Sequence, residues 1–230
     1  MRGFVALPLL AALTVLFGLP AIAFGLFGAR RRARQITTAW ARALLRVMGV
    51  KVVIEGALHL PPGAAVYAAN HGSVLDIPVL FGHLPVDFRI VHKRSLYLVP
   101  VVNLYLYAAG HIAIDRKNAF RARKSLARAA DKIRGGTSVM VFPEGTRSAH
   151  GEVAAFKRGS FLMAVRSGAP VVPLSLAGVK AVMPTGLRGM RAGTVRLIVH
   201  PPLATSGRAP GEAGVLAEEV RRIVAGGCAA

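Results

Sequence analysis

The sequence predicts a single α/β domain, with a largely parallel or mixed central sheet flanked by helices and an apolar segment in front of it. Three observations predict this class. From residue 51 onward, short apolar runs of strand length alternate with helical stretches. The chain has 230 residues, which is enough for one domain with a full core. The apolar segment at the N-terminus is long enough to cross a bilayer.

The N-terminal segment, residues 1–34, combines an apolar run with a basic flank. Gly3 to Ala29 contains no charged residue, and residues 30–34 include four arginines. A cleaved signal peptide would have a shorter apolar region and no basic block behind it. Arginines favour the cytoplasmic side, so we expect a cytoplasmic (inner) membrane location, with the folded domain facing the cytoplasm. Gly18 and Pro20 interrupt the run, so a spanning helix and a helix hairpin within one leaflet both stay open.

Residues 35–50 predict an amphipathic helix. Trp40 and Leu44 recur at helical spacing, and Arg42 falls on another face. Such a helix can pack on the domain as ordinary core, or it can lie at a membrane interface, where tryptophan and arginine are frequent. We assign it an interfacial position before the folded domain, residues 51–225.

The folded domain shows no repeat and no dividing linker. Its clearest helix is Ala119–Arg134, and residues 226–230 are expected to form a disordered tail. Pro173 predicts a strand edge or a bulge, because proline cannot donate to a ladder. The predicted strands are Val52–Glu55, Ala65–Ala68, Phe88–His92, Ile112–Ile114, Ser138–Phe142, Val171–Leu176 and Val195–Val199.

The charge balance indicates an anionic partner. The chain has 30 Lys and Arg against 10 Asp and Glu, a formal net charge of +20. A nucleic acid is disfavoured, because the basic residues lack interleaved aromatics and no nucleic-acid motif is present. The single cysteine, Cys228, cannot form an internal disulfide and favours a reducing, cytoplasmic setting. The sequence has no HExxH, CxxC, P-loop, GxSxG or GxGxxG pattern, so we expect no metal and no cofactor.

One short stretch carries a candidate base. His71 lies where a short buried strand gives way to an apolar run of helical character, and Asp76 follows five residues later. On a regular helix these two side chains would lie about 140° apart. They can meet only if His71 precedes the helix, with Ser73 as its N-cap and Asp76 in the first turn. A carboxylate bonded to one imidazole nitrogen leaves the other free as a base. A histidine that merely caps a turn is the competing interpretation.

Three further stretches carry polar groups beside apolar runs. Residues 110–116 end a strand with an adjacent carboxylate and guanidinium. Residues 141–148 run from a buried strand into a turn where Arg147 and backbone N–H groups make a credible phosphate cradle. Residues 169–176 form an apolar run that contains Pro173. Taken one at a time, each has an ordinary structural explanation.

Taken together, these stretches resemble the glycerolipid acyltransferase family, most closely the 1-acylglycerol-3-phosphate acyltransferases, over residues 52–203. Lys93-Arg94-Ser95-Leu96, followed by Pro100, is similar to a further family stretch, although Ser95 stands where an acid is common. Gly72 also departs slightly, since a bulkier polar residue often follows the histidine. The matching blocks are Asn70-His71-(four residues)-Asp76, then Gly110…Ile114-Asp115-Arg116, then Phe142-Pro143-Glu144-Gly145-Thr146-Arg147-Ser148, then Val172-Pro173-Leu174-Ser175.

The resemblance implies a membrane-bound enzyme that moves a fatty acyl group from a thioester to a free hydroxyl. It implies catalytic roles for His71 as general base and Asp76 as its orienting partner. Arg147 would hold a phosphate with two bonds, and Glu144 would orient a cation or the glycerol hydroxyl. The implied substrate-binding residues are Asn70, Lys93, Arg116, Glu144, Gly145, Thr146, Arg147 and Pro173.

The implied partners are acyl-CoA or an acyl carrier protein as donor, lysophosphatidic acid as acceptor, and membrane phospholipids. The implied product is phosphatidic acid, an intermediate of phospholipid biosynthesis. Two alternatives stay open: another acceptor, such as glycerol 3-phosphate or a lyso-aminolipid, and a non-catalytic protein that binds anionic lipid. The apolar stretch Leu96–Tyr107 is interpreted first as a core helix, and otherwise as the wall of an acyl-chain groove or a membrane-dipping segment.

Overall fold

A 7-stranded mixed sheet organises the chain from residue 50 onward. The computed structural model describes residues 2–115, 118–148, 152–184 and 189–229. Every predicted strand is present, with ends that differ by no more than two residues. The strands are β1 (Val50–Glu55), β2 (Val66–Ala69), β3 (Phe88–Lys93), β4 (Ile112–Ile114), β5 (Ser138–Val141), β6 (Val171–Ala177) and β7 (Gly193–Val199).

The strands lie in the order β1-β7-β6-β2-β5-β3-β4. All neighbouring pairs are parallel except β6 and β7, so β1 and β7 run opposite to the other strands. The fold class is therefore the predicted one, an α/β domain with a mixed sheet. Strand β2, which leads into the His71 turn, lies at the centre of the order.

Helices cover both faces of the sheet. Helices α2 and α3 pack on one face, and α5, α6 and α8 pack on the other. Helix α5 has the predicted bounds, and the Asn118 side chain caps it by accepting a hydrogen bond from Arg121 N at 2.9 Å. The helices are α1 (Arg2–Leu26), α2 (Arg30–Val47), α3 (Asp76–His83), α4 (Val102–Ala108), α5 (Ala119–Arg134), α6 (Arg158–Ser167), α7 (Val179–Val182) and α8 (Ala213–Ala229).

The core lies in two layers, one on each side of the sheet. Strand β2 shows how the sequence divides between them, because successive strand residues point to opposite faces. Tyr67 and Ala69 belong to the layer under α2 and α3, and Val66 and Ala68 belong to the layer under α5, α6 and α8. All four are fully buried, which explains why β2 is an uninterrupted apolar run.

The N-terminal segment forms a helix hairpin. Helix α1 ends at Leu26, the chain turns over residues 27–29, and α2 packs back along α1. Helix α1 also packs against α4. Its stretch Leu7–Leu26 is long and apolar enough to cross a membrane, judged by length and composition, and only 22% of its most apolar 18 residues are buried.

Helix α2 has different bounds from the helix predicted at residues 35–50. It begins at Arg30, so the basic block belongs to its first turns. Ala41 and Leu45 are buried against the domain, and Trp40 Nε1 donates to Thr14 Oγ1 of α1 at 3.2 Å. The helix is a packed layer between α1 and α3 because its apolar face is wide enough to contact both.

Pro173 lies in the sheet interior, so the predicted strand edge is wrong. Strand β6 lies between β7 and β2, and Pro173 pairs with Ala68. The predicted bulge is present on the β7 side. Leu174 pairs with Val199, whereas Val171 pairs with Leu203. The segment that continues from β7 therefore has one residue more between these two pairs than β6 has. This irregularity explains how an interior strand tolerates a residue without an N–H.

The expected disordered tail is also wrong for residues 226–229, which belong to α8. Gly227 lets the last turns of the helix approach the sheet closely. A Cβ at that position would clash with Ser175 Oγ. Ser175 Oγ also donates to Val224 O at 2.9 Å, which ties the last turns of α8 to β6.

The apolar stretch Leu96–Tyr107 is not a core helix. It forms a short 3-10 helix at Arg94–Leu98 followed by α4. Leu98 is 84% exposed and Tyr107 is 72% exposed. The short α4 buries Leu106 and Ala108 on one side and leaves Val102, Leu104 and Tyr107 exposed.

Candidate active site

The central strands end at a crevice in the sheet. After β2 the chain passes to α3 on one face, and after the neighbouring β5 it passes to α6 on the other face. When neighbouring parallel strands send their connections to opposite faces, a crevice opens outside their carboxyl ends. The His71 turn and the Glu144 turn are the two connections that border this crevice.

The His71 and Asp76 side chains are in direct contact. His71 Nδ1 lies 2.7 Å from Asp76 Oδ2. Asp76 is fully buried, and the His71 side chain is 17% exposed. Because Nδ1 donates to the carboxylate, Nε2 keeps its lone pair and can accept a proton. The pair therefore has the geometry of a general base held by an acid.

Asp76 is held in place by the turn that precedes it. Its Oδ2 also accepts hydrogen bonds from Gly72 N at 2.9 Å and Ser73 N at 3.0 Å. Ser73 does not cap α3 as predicted. Its Oγ accepts instead from Leu75 N, two residues on, and α3 starts at Asp76. The Asp76 carboxylate instead bonds back to N–H groups that precede the helix, and this fixes the turn that carries His71.

Glu144 binds the backbone of the His71 turn. Its Oε1 accepts from His71 N at 2.6 Å, and its Oε2 accepts from Ala154 N at 3.0 Å. Burial raises the pKa of the Glu144 carboxyl, although the two N–H bonds oppose that shift. In this structure both carboxylate oxygens are used within the protein, so the predicted orientation of a cation or a glycerol hydroxyl by Glu144 gains no support.

A second bond and an aromatic ring complete the support around His71. Ser148 N donates to His71 O at 2.9 Å, so both backbone groups of His71 are bonded to the turn after β5. The Phe142 ring stacks on the imidazole, with centroids 4.2 Å apart and planes at 25°.

Asn70 and Pro173, both predicted to bind substrate, have structural positions. The Asn70 amide donates to Leu176 O at 3.2 Å and accepts from Leu176 N at 2.8 Å, which joins the ends of β2 and β6. Pro173 is buried in β6 beside Ala68, before the crevice begins. The strand end that borders the crevice is formed by Leu176 rather than by Pro173.

The remaining predicted residues of the turn after β5 are more accessible. Gly145 has a φ of +80°, a conformation that favours glycine, and its N–H donates to Phe142 O at 3.1 Å. Thr146 and Arg147 are exposed. Arg147 immediately precedes Ser148, whose N–H is bonded to His71 O, so the backbone that carries Arg147 is fixed next to the His71 turn. It makes no ion pair with the described part of the chain.

The other predicted phosphate ligands come from the neighbouring strands. Lys93 ends β3 and is exposed, at the same edge of the sheet as His71. Strand β3 lies two strands from β2, a separation of about 10 Å. Arg116 follows β4 but lies outside the described residues. Within the described ranges, no group of three or more metal-ligating side chains is present.

Sequence reasoning missed several residues of this site. Phe142 and Ser148 lie within a recognised block, but nothing in their spacing indicates that one stacks on His71 and the other bonds to it. Ala154 and Leu176 act through backbone groups, which a sequence pattern does not report. The one available signal was Phe142 itself, an aromatic residue at the last position before the polar turn.

Comparison with known proteins identifies relatives of the chain. One, a 1-acyl-sn-glycerol-3-phosphate acyltransferase of Chlamydomonas reinhardtii, is 40% identical over 156 residues, which is 66% of this chain and 47% of that protein. Another, the 1-acyl-sn-glycerol-3-phosphate acyltransferase alpha of Homo sapiens, is 34% identical over 175 residues, which is 75% of this chain and 62% of that protein. The chain thus spans about half to three-fifths of the length of these relatives.

A solved structure matches over the whole chain. It is the crystal structure of the 1-acyl-sn-glycerophosphate (LPA) acyltransferase PlsC from Thermotoga maritima, with a TM-score of 0.74 and 29% identity. The match covers 100% of this chain and 97% of that one. The family model named Acyltransferase matches residues 51–177, which include the His71 turn, the Glu144 turn and most of the sheet. The chain therefore belongs to the acyltransferase family.

Proposed function

We propose that this protein transfers a fatty acyl group from an acyl thioester to the free hydroxyl of 1-acylglycerol 3-phosphate, forming phosphatidic acid. One observation carries the proposal. The turn that presents the exposed Arg147 is hydrogen-bonded, through Ser148 N, to the backbone of His71. A group that can bind phosphate is thereby held beside a group that can take a proton from a hydroxyl. The matched relatives are named for this reaction, which supports the same acceptor.

The chemistry follows from the poor nucleophilicity of an alcohol at neutral pH. His71 Nε2 takes the proton of the acceptor hydroxyl as its oxygen attacks the thioester carbonyl carbon. The resulting C–O bond replaces the C–S bond, and the leaving thiolate takes the proton from His71. Asp76 keeps Nδ1 as the donor, so the ring presents the same nitrogen in every turnover. Phe142 and the backbone bonds of His71 hold the ring at a fixed position.

The acceptor's phosphate binds to the exposed cations at the edge of the crevice. Arg147 offers two parallel N–H groups, which match two phosphate oxygens. Lys93, from β3, approaches from the side of the neighbouring strands. We extend the phosphate site to Arg116, Gly145 and Thr146 on the family resemblance.

The substrates of this reaction carry long acyl chains, so the enzyme works at a membrane surface. Two exposed apolar regions support this: the outer face of α1 and the segment Leu96–Tyr107. They adjoin each other because α1 packs against α4. We propose that they rest in the cytoplasmic leaflet, so that the acceptor moves sideways into the crevice without leaving the lipid. Full extraction would cost about 0.8 kcal/mol for each CH₂ exposed to water.

An assay of the purified protein with a panel of acceptors tests the proposal. The panel contains lysophosphatidic acid, glycerol 3-phosphate and a lyso-aminolipid, each with acyl-CoA and with acyl carrier protein thioester as donor. The expected result is transfer to lysophosphatidic acid well above the other two acceptors. If the enzyme prefers another acceptor, the proposed acyl transfer would stand, but the proposed acceptor would be wrong. Lipid binding without transfer to any acceptor would show that the protein is a non-catalytic binder.

A further inference from the structure

A cleft of about 390 Å³ lies between α5, α6 and the start of α8, outside the crevice described above. Three arginines line it: Arg123 of α5, and Arg158 and Arg166 of α6. The other lining residues are Leu162, Pro210, Gly211 and Ala213. No acidic side chain contributes to the lining. Neither the sequence blocks nor the His71 site uses any of these residues.

The cleft gathers uncompensated positive charge. None of the three guanidinium groups forms an ion pair or a side-chain hydrogen bond with the described parts of the chain. Neither of the acids nearby in sequence bonds to these guanidinium groups: Glu212 accepts from Ala209 N, and Glu219 pairs with Arg208. The start of the 17-residue helix α8 adds a partial positive charge. A ligand with several negative charges would relieve this repulsion.

The position of the cleft connects it to the active site. Helix α6 starts directly after Lys157, whose N–H donates at 3.0 Å to Pro143 O, the residue before Glu144. Its first turn is therefore at the same edge of the sheet as His71. The lining residues of α6 are spaced by four, so they form one face that runs away from that edge along the helix. A long ligand could lie in the cleft and still reach the crevice.

We propose that this cleft binds the phosphorylated nucleotide end of an acyl-CoA donor, an inference that rests on the proposed function. The coenzyme A nucleotide carries a diphosphate and a 3′-phosphate, which match three converging guanidinium groups. Leu162, half buried, offers an apolar surface to the adenine ring. The flexible pantetheine arm would follow α6 to the thioester at His71.

The shape of the cleft favours a small molecule over a carrier protein. Its volume falls within the range of about 300 to 1,000 Å³ that is typical of small-ligand sites. A stable protein interface needs about 800 Å² of surface on each partner, and its surface is generally not a single concave cleft. We therefore reject the alternative that an acyl carrier protein binds at the three arginines. The experiment below distinguishes this alternative from binding of the nucleotide.

The first test compares donors with and without the nucleotide. The variant is Arg123→Ala combined with Arg158→Ala, and the control is Arg128→Ala, an exposed arginine of α5 that does not line the cleft. Steady-state kinetics are measured with three donors: palmitoyl-CoA, palmitoyl acyl carrier protein, and the palmitoyl thioester of N-acetylcysteamine, which lacks both the nucleotide and the protein. We expect the double variant to raise the KM for palmitoyl-CoA about tenfold or more, in line with the loss of charge-assisted bonds. In the double variant, the KM for the truncated thioester and the KM for the acceptor should stay unchanged. In the Arg128→Ala control, the KM for every substrate should stay unchanged.

Three results would overturn the proposal: an equal rise in KM for the truncated thioester, a rise confined to the acceptor, or a rise confined to an acyl carrier protein donor. A second measurement does not depend on catalysis. Titration calorimetry with adenosine 3′,5′-bisphosphate should show binding to the unmodified protein and to Arg128→Ala, and at least tenfold weaker binding to the double variant. If no donor and acceptor pair reacts, the proposed function fails, and the calorimetry alone decides whether the cleft binds the nucleotide.

Discussion

The two halves of the active site are built in opposite ways. Around His71, the ring nitrogen, both backbone groups and one ring face are all occupied by Asp76, Glu144, Ser148 and Phe142. At the rim, Arg147 and Lys93 are exposed, and neither forms an ion pair with the described residues. A base must be held in one position before substrate arrives, because small displacements of a reacting group slow the reaction greatly. A phosphate ligand must instead keep its donors free for the substrate.

The largest effect is expected at the base itself. His71→Ala removes the acceptor of the hydroxyl proton, so we expect the transfer rate to fall by about 10²–10⁴-fold or more. Loss of the imidazole should leave the fold and membrane association intact, which circular dichroism and vesicle flotation would check. Near-normal turnover by a folded His71→Ala protein would show that another group removes the proton.

Glu144 provides a sharper test, because it separates positioning from substrate binding. Glu144→Gln keeps the shape but directs an NH₂ group at one of the two backbone N–H donors. We expect kcat to fall by up to about 10²-fold, since a shift of about 1 Å at a reacting group can cost that much. The KM for the acceptor should change little. A rise in the acceptor KM with unchanged kcat would place Glu144 in the phosphate site instead.

The rim is tested by Arg147→Lys. An ammonium cannot reproduce the planar, two-pronged contact of a guanidinium with phosphate. We expect the KM for the acceptor to rise about tenfold, equivalent to about 1.5 kcal/mol for one charge-assisted hydrogen bond. The KM for the acyl donor should stay constant. If the donor KM alone rises, Arg147 belongs to the thioester site rather than to the acceptor site.

The smallest effect is expected on the outer face of α1. Leu16 and Leu19 are 66% and 57% exposed, so replacing both by Glu should leave the packed face of the helix unchanged. We expect activity on vesicle-borne acceptor to fall roughly fivefold, in line with about 1 kcal/mol of lost apolar burial at the interface. Activity on a short-chain, water-soluble acceptor should not change.

The matched control for α1 is Leu58→Glu, an exposed leucine of the turn Ala57–His59, far along the chain from the hairpin. It should affect neither activity. Equal losses on the vesicle-borne and the water-soluble acceptor would show that α1 supports the fold and does not dock the enzyme on lipid.

The elements of the sheet were determined by local sequence. Each strand is an apolar run bounded by turn residues, and α5 is bounded by an asparagine cap and two glycines, so pattern alone located them. The meeting of His71 and Asp76 was also a local matter, since both lie in one short turn before α3. The apolar N-terminal helix and its basic flank were also predictable, because each is a continuous stretch with a distinctive composition.

Only the tertiary structure decided how distant segments use their backbone and polar groups. Glu144 bonds to a backbone N–H that is 73 residues away, and Asn70 bonds to Leu176 across 106 residues. Such partners are backbone groups, which every residue carries, so no sequence pattern marks them. Strand order likewise placed Pro173 inside the sheet, and helix packing brought the arginines of α5 and α6 to one cleft. The sequence determines which charged and apolar side chains are present, but the packing of the layers decides which of them face each other.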